Sequence, residues 1–420
     1  MAAWLLILIQ STLTNSILTP TLVSEPTEAT MLTDRMDDTL IEVPRGLANV
    51  AAATTALSDV RGLEGYYQYR QYSAIELARR RSFEHAWFLM LFGELPTAGE
   101  LAEFRMRLSV ARDVPESVRC LLSDIARATE GDSLAGLRMA LEAVASSDRM
   151  PPLYEESPDR RINDAIRVAA LTPVLLSALY RLSEGQEVLR ERQDLGHVAN
   201  YLYLTTGEVP DKRTERALSA YMTAAIDHGF NASTFTARVI ASTGADLISA
   251  VVGAIGALSG PLHGGAPARA LETLDAIGSL DRIDDWITDA VLSGRRIMGF
   301  GHPIYRTEDP RSRMLREIAL EFADAGIGAE RVAFATAVES RVLALLAELK
   351  PGRALHTNLE FYAAIVMELC GLPREMMTPT FAAARAVGWS AHILEQAADP
   401  KIIRPSSRFT GPSVPVPLPE

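Results

Sequence analysis

From Ala74 onward the chain repeats apolar residues at three- and four-residue spacing almost without interruption, a period that leaves little open to it except helix. "AIELARRRSFEHAWFLMLFGELP", residues 74–96, predicts one helix stopped by Gly93 and Pro96. "RINDAIRVAALTPVLLSALYRL", residues 161–182, is long and apolar on more than one side, and "STFTARVIASTGADLISAVVGAIGALSG", residues 233–260, predicts another helix. The charge-poor part of the last, "VIASTGADLISAVVGAIGAL", must be buried on nearly all sides, which implies a layered all-α core rather than a surface bundle. Its single acid, Asp246, argues against a membrane span. Only "LIEVP", residues 40–44, and "YYQYR", residues 66–70, read as strands. There is no internal repeat and no long linker.

A chain of 420 residues, 48% hydrophobic and 22% charged, has volume for one large or two ordinary domains. Its formal charge of −12 argues against nucleic acid as the main partner, because phosphate binding needs a basic face in bulk. An anionic ligand must therefore be held by a local cluster of Arg or His. Two cysteines, Cys120 and Cys370, stand far apart with no CxxC or Cys/His spacing, so neither a disulfide framework nor a metal site is expected, and a reducing, cytoplasmic setting is. The N-terminal run "AAWLLILI" is too short to span a bilayer, and no basic residue precedes it, the first being Arg35. Residues 1–40 read as a disordered extension, with Met31 or Met36 as alternative starts.

Three short motifs do not carry chemistry. "GDSLAG", residues 131–136, matches a serine-hydrolase signature but lies between helices, where Asp132 or Ser133 serves as an N-cap. "GFG", residues 299–301, lacks the third glycine and the βαβ setting of a dinucleotide site. Asn231-Ala232-Ser233 has the form of a glycosylation sequon and is read as the first turn of a helix.

Other residues do suggest chemistry. His228 in "IDHGFN", His263 in "GPLHGGAP" and His302 in "GFGHPIYR" sit in glycine-flanked breaks, where backbone and ligand can approach closely. Pro303 biases His302 toward an extended backbone. His263 precedes a helix expected over 266–277, whose positive end would disfavour the imidazolium, and a neutral His there can donate a hydrogen bond to a developing enolate. Arg385 shares a helical face with Phe381 and Trp389 and has no acid in its helix until Glu395. It either pairs with an acid of another helix or receives a carboxylate ligand. In "HTNLEFYAAI", residues 356–365, Glu360 opens an apolar helix: it is either the last member of a Thr357-x-x-Glu360 capping box or a catalytic carboxylate. With Arg311 and Arg404, these groups suit a small di- or tricarboxylate and carbon-acid chemistry.

"GPLHGGAPARALETL", "GFGHPIYRTEDPRSRML", "NLEFYAAIVM" and "RAVGWSAHILEQ...IIRPSSRFTGP", in this order and spacing, closely resemble citrate synthase and its relative 2-methylcitrate synthase. The resemblance runs from about Gly46 to Gly411, and "NASTFTARVIASTGAD" is similar to the second-type bacterial enzymes. It implies an all-α homodimer with a large helical domain (41–263 and 372–420), a small one (264–371), and a cleft that closes on oxaloacetate. It implies that Glu360 deprotonates acetyl-CoA, that His263 stabilises the enolate, and that His302 polarises the oxaloacetate carbonyl. It further implies that His228, Arg311 and Arg385 hold the oxaloacetate carboxylates, with Arg404 reaching in from the partner subunit. Arg295, Arg296, Gly299, Phe300 and Gly301 would take CoA. Acetyl-CoA would be a co-substrate, with no tightly bound cofactor and no membrane partner. Two departures stand out: Glu360 occupies a place where the family usually has Asp, one methylene shorter, and Pro303 follows His302 as in some 2-methylcitrate synthases. Propionyl-CoA as substrate, or a weakly active paralogue that binds CoA or oxaloacetate, are the alternatives these raise.

Overall fold

The structure, a computed structural model, describes residues 40–264, 266–301, 304–305, 307–350, 352, 355–411 and 417–419. Residues 1–39 of the expected extension, together with His302 and Pro303, lie outside that set. Packing divides the chain into two units, one comprising its two ends up to Ala52 and from Arg404 onward, the other Ala53–Ile403. In the first, "LIEVP" is not the expected strand. Ile41 is 90% exposed, so alternation there has no core to face, and Pro44 leads into a short turn over Arg45–Leu47 with Gly46 at φ 71°. Glu42 pairs with Arg408 at 2.9 Å.

The larger unit opens with a three-stranded antiparallel sheet: β1 (Ser58–Arg61), β2 (Tyr66–Tyr69) and β3 (Tyr72–Ser73), in the order β1-β2-β3. Ser58 pairs with Tyr69 and Gln68 with Ser73. Tyr67 and Tyr69 alternate inward and are fully buried, which explains why so short a sheet is held. The Tyr67 hydroxyl donates to the Ala224 carbonyl at 3.1 Å and that of Tyr69 to Thr223 at 2.9 Å.

Sixteen α-helices follow among the described residues. They are α1 (Ala74–Arg80), α2 (Phe83–Phe92), α3 (Ala98–Ala111), α4 (Glu116–Ala128), α5 (Ser133–Asp148), α6 (Pro158–Ser183), α7 (His197–Thr206) and α8 (Lys212–Ala225). The second half comprises α9 (Ala232–Ala241), α10 (Leu247–Leu258), α11 (Ala266–Ile277), α12 (Ile283–Leu292), α13 (Pro310–Asp324), α14 (Ala329–Leu349), α15 (Leu359–Leu369) and α16 (Met377–Ala397). Two stretches expected as single helices are each broken in two. Between α1 and α2, Arg81 turns extended at φ −131°, and the Ser82 amide donates to Nδ1 of His85 at 3.3 Å, starting a new helix that Gly93 ends at φ 90°. Between α9 and α10, Gly244 takes φ 80° and the Asp246 side chain accepts the Ser249 amide at 2.9 Å. The acid read as an isolated charge in an apolar run is thus an N-cap: local capping outcompetes helix continuation.

Asp132 caps α5 and Asn231 caps α9, as their sequences suggest. The core lies where α6 packs on α16, with most side chains of both helices fully buried. Among the described residues α6 is the one helix long and apolar enough to cross a membrane, but 78% of its most apolar stretch is buried inside the protein. It is the central helix of the layered core that the charge-poor sequence calls for.

Candidate active site

A cavity of about 230 Å³ gathers His228, His263, Arg296, Arg311, Glu360 and Arg385, together with Asn231, Gly301 and Asn358. These residues come from six separate parts of the chain, and the helix ends bring them together. Glu360 is the second residue of α15. The capping box expected from Thr357 does not form: Asn358 is the N-cap and accepts the Glu360 amide at 3.1 Å, while the Thr357 hydroxyl donates to Glu339 at 2.7 Å. The Glu360 carboxylate therefore makes no return bond to the N-cap backbone and keeps only a side-chain contact with Asn358. Burial, opposed by the Arg311 and Arg296 guanidiniums, pushes it up to about 7. A carboxyl so poised exchanges protons readily near neutral pH.

The "GFG" segment has a structural role in placing this carboxylate. Phe300 bridges Thr357 in antiparallel fashion, the Gly301 amide donates to His356 at 2.8 Å, and the Asn358 amide donates to Gly299 at 2.9 Å. The Asn358 side-chain amide donates to the Gly301 carbonyl at 2.9 Å. Gly299 stands at φ 88°, and a Cβ there would lie 2.9 Å from Phe361, so only glycine allows the two segments to meet.

His263 lies in the turn before α11, its Nε2 2.9 Å from the Ser233 hydroxyl and 3.3 Å from the Ser233 amide at the start of α9. Burial and the nearby Arg385 charge lower its pKa, so the ring is neutral at pH 7. Burial and a neighbouring cation thus act in the same direction as the helix end to which the sequence points. His228 follows α8, 7% exposed, with Nε2 2.9 Å from the Tyr305 hydroxyl.

The two arginines differ. Arg311, in the first turn of α13, makes a two-pronged pair with Asp309, Nε to Oδ1 at 3.0 Å and Nη2 to Oδ2 at 2.8 Å, with both side chains buried. Despite burial, this pairing holds the guanidinium above its ordinary pKa. Arg385 is 2% exposed, donates from Nε to the Ala225 carbonyl at 2.8 Å and lies 4.7 Å from the Phe381 ring centre. Among the described residues no carboxylate is within ion-pair distance of it, and burial lowers its pKa, with Asp227 the leading group acting against that shift. A desolvated cation without a counter-ion, facing a cavity, is an anion receptor.

Arg295 does not line the cavity: it pairs with Asp289 and lies 5.4 Å from the Trp286 ring centre. Gly299 and Phe300 support the wall from behind. Arg404 is exposed and belongs to the other unit. His302 lies outside the described residues. Sequence reasoning missed Tyr305, Asp309, Asn358 and Ser233. Of these, only Asp309 gives a signal, an acid two residues before Arg311 at a proline-started helix.

Comparison with known proteins finds relatives that span most of the chain. Residues 46–406 match the citrate synthase C-terminal domain. The chain is 35% identical to the citrate synthase of Haloferax volcanii over 373 residues, 88% of this chain and 96% of the relative. It is 37% identical to a putative citrate synthase 2 of Mycobacterium tuberculosis over 378 residues, 87% and 92% of the two chains. The crystal structure of Thermotoga maritima citrate synthase superposes with a TM-score of 0.77 at 34% identity, over 90% of this chain and 98% of that one. The Thermoplasma acidophilum citrate synthase, solved as a ternary complex with carboxymethyl coenzyme A and oxaloacetate, superposes at 0.81 with 26% identity over 90% and 98%. An all-α chain matched over nearly its whole described length, with histidines, arginines and a raised carboxyl around one cavity, belongs to the citrate synthase family.

Proposed function

We propose that the cavity condenses acetyl-CoA with oxaloacetate to give citrate and CoA, as an acyltransferase of the citrate synthase type. The observation that carries the reading is Glu360, its carboxyl pushed up to about 7, lining the same cavity as neutral His263 and the unpaired Arg385. The Glu360 carboxylate takes a proton from the acetyl methyl, and the electron pair moves onto the thioester oxygen, where His263 donates a hydrogen bond. The enolate carbon attacks the oxaloacetate carbonyl, polarised by His302, and water cleaves the citryl thioester. Arg385, Arg311 and His228 hold the oxaloacetate carboxylates. A cavity of about 230 Å³ suits so small an acid, while the CoA tail reaches in from outside past Arg296 and Gly301, with Arg295 nearby.

In this reading the chain works in the cytoplasm as a homodimer in which Arg404 reaches the partner's site. Residues 264–371 close over the rest when oxaloacetate binds, excluding water before the enolate forms. The reaction is the entry step of the tricarboxylic acid cycle. The presence of Pro303 after His302 favours a second reading, propionyl-CoA as an alternative substrate. One extra methylene is discriminated by only about 1–3 kcal/mol, so one site could serve both. Oxaloacetate-dependent release of CoA thiol, run with acetyl-CoA and propionyl-CoA side by side, tests both. Fast release with acetyl-CoA is expected, a propionyl preference would move the assignment to 2-methylcitrate synthase, and release with neither would overturn it in favour of a binding paralogue.

A further inference from the structure

Away from the reaction cavity, and sharing no lining residue with it, is a groove of about 590 Å³ at the elbow between α1 and α2 and the start of α8. Six cations line it: Arg79, Arg80, Arg81, Lys212, Arg213 and Arg216. One acid, Glu215, lines it with them. On a chain with a formal charge of −12, such a concentration of one sign stands against the background field and draws anions to this spot.

Four of the cations have partners, all at the surface. Arg80 pairs with Glu76 at 2.9 Å and Lys212 with Glu215 at 3.0 Å, each within its own helix. Arg79 and Arg216 reach out to α13, Arg79 to Glu317 and Arg216 to Glu321 at 2.9 Å. The Glu317 and Glu321 side chains are 50% and 55% exposed, so each pair is worth at most about 1 kcal/mol and is readily exchanged for a stronger anion. Arg81 and Arg213 have no acid within ion-pair distance among the described residues; Arg81 donates only to the Arg80 carbonyl, at 3.3 Å. Five of the six cations are guanidiniums, whose planar forks match phosphate oxygens two at a time. Two unpaired guanidiniums, with two more whose exposed partners on α13 are easily exchanged, suit several phosphates on one ligand.

We propose that this groove binds an oligophosphate chain, and that its occupation releases the two ion pairs that join it to α13. Arg311 stands in the first turn of the same helix, so loosening α13 displaces a cavity arginine and weakens oxaloacetate binding. The second half of this proposal rests on the reading of Arg311 as an oxaloacetate ligand; the first half does not.

The test is calorimetric titration of the intact protein with inorganic tripolyphosphate, and with ATP in a second arm. One site per chain is expected, weakening several-fold between about 50 and 200 mM salt as screening sets in. The Arg81→Ala/Arg213→Ala double variant should bind at least about tenfold more weakly, having lost two charge-assisted contacts, with its unliganded kcat and KM values unchanged. Equal binding of the two ligands would assign the groove to the phosphate chain alone, and tighter ATP binding to the phosphate tail of a nucleotide; both support the site. No binding of either, or binding unaltered in the double variant, overturns it. Tripolyphosphate should also raise the oxaloacetate KM of the parent and not of the double variant. Binding lost in the variant without any KM response in the parent would leave the site standing and overturn its coupling to Arg311.

Discussion

Asp309 and Arg311 form a two-pronged ion pair inside the protein, 1% and 4% exposed, and the same Asp309 carboxylate accepts the Leu359 amide at 3.1 Å. One buried acid thus ties a cavity arginine to the start of the helix that carries Glu360. Removing one partner of a buried pair leaves the other charge uncompensated, at a cost of about 3–5 kcal/mol. Asp309→Ala should lose stability on that scale in denaturant unfolding and, in its remaining folded fraction, bind oxaloacetate more weakly. A change below about 1 kcal/mol would show that the pair does not organise the site.

Glu360→Gln should lower kcat by about 10²–10⁴, the usual contribution of a positioned general base, while oxaloacetate affinity stays close to that of the parent. Equilibrium binding of oxaloacetate beside turnover separates the two. Retention of most of the rate would assign the proton transfer to another group.

The raised pKa of Glu360 gives a pH signature in catalysis. The base must be ionised, so kcat/KM for acetyl-CoA should fall with unit slope as pH drops through about 7, and Glu360→Gln should lose that limb in whatever rate remains. A pH–rate profile checks both.

Stability carries the opposite sign. A carboxyl with its folded pKa near 7 and a reference value of 4.5 favours the folded state while protonated, and this contribution is lost as pH rises from about 4.5 to 7. Ionising it in place costs roughly 3 kcal/mol, at about 1.4 kcal/mol per pKa unit. Glu360→Gln should therefore unfold at higher temperature than the parent at pH 8 and at nearly the same temperature at pH 5. Equal shifts at both would show that the carboxyl is not held protonated by its surroundings.

Behind His228, Asp227 and His392 are both fully buried, with Nε2 of His392 3.3 Å from Oδ1 of Asp227. Arg238 lies 3.2 Å from the other ring nitrogen of His392, and Asp227 Oδ2 accepts the Gly229 amide at 3.2 Å. Burial alone would raise the Asp227 carboxyl; His392, Arg385 and the Ser58 hydroxyl together outweigh it and hold the acid below its ordinary range. His392→Ala should raise the oxaloacetate KM more than it lowers kcat, and His392→Gln, which keeps an N–H donor, should recover part of the loss. A uniform loss of activity that tracks stability, with no recovery in Gln, would make the contact purely structural.

Much of the fold was legible in the sequence because helix and burial are local properties. The 3.6-residue period, the glycine at position 93 and the charge-poor run around Val251 are read within a few residues of themselves, and they determine an all-α core without any knowledge of what packs on what. The ordered motifs around His228, His263, Glu360, Arg311 and Arg385 likewise determined which residues to watch. The helix breaks come from equally local bonds, Ser82 to His85 and Asp246 to Ser249, but continuation and capping differ by little, so the choice between them is visible only in the tertiary structure. Tertiary structure also decided what Glu360 does with its charge. Whether Thr357 or Asn358 caps α15 depends on Glu339 and Gly301, which lie 18 and 57 residues away, and the rise of the carboxyl to about 7 comes from burial, which no window of sequence contains.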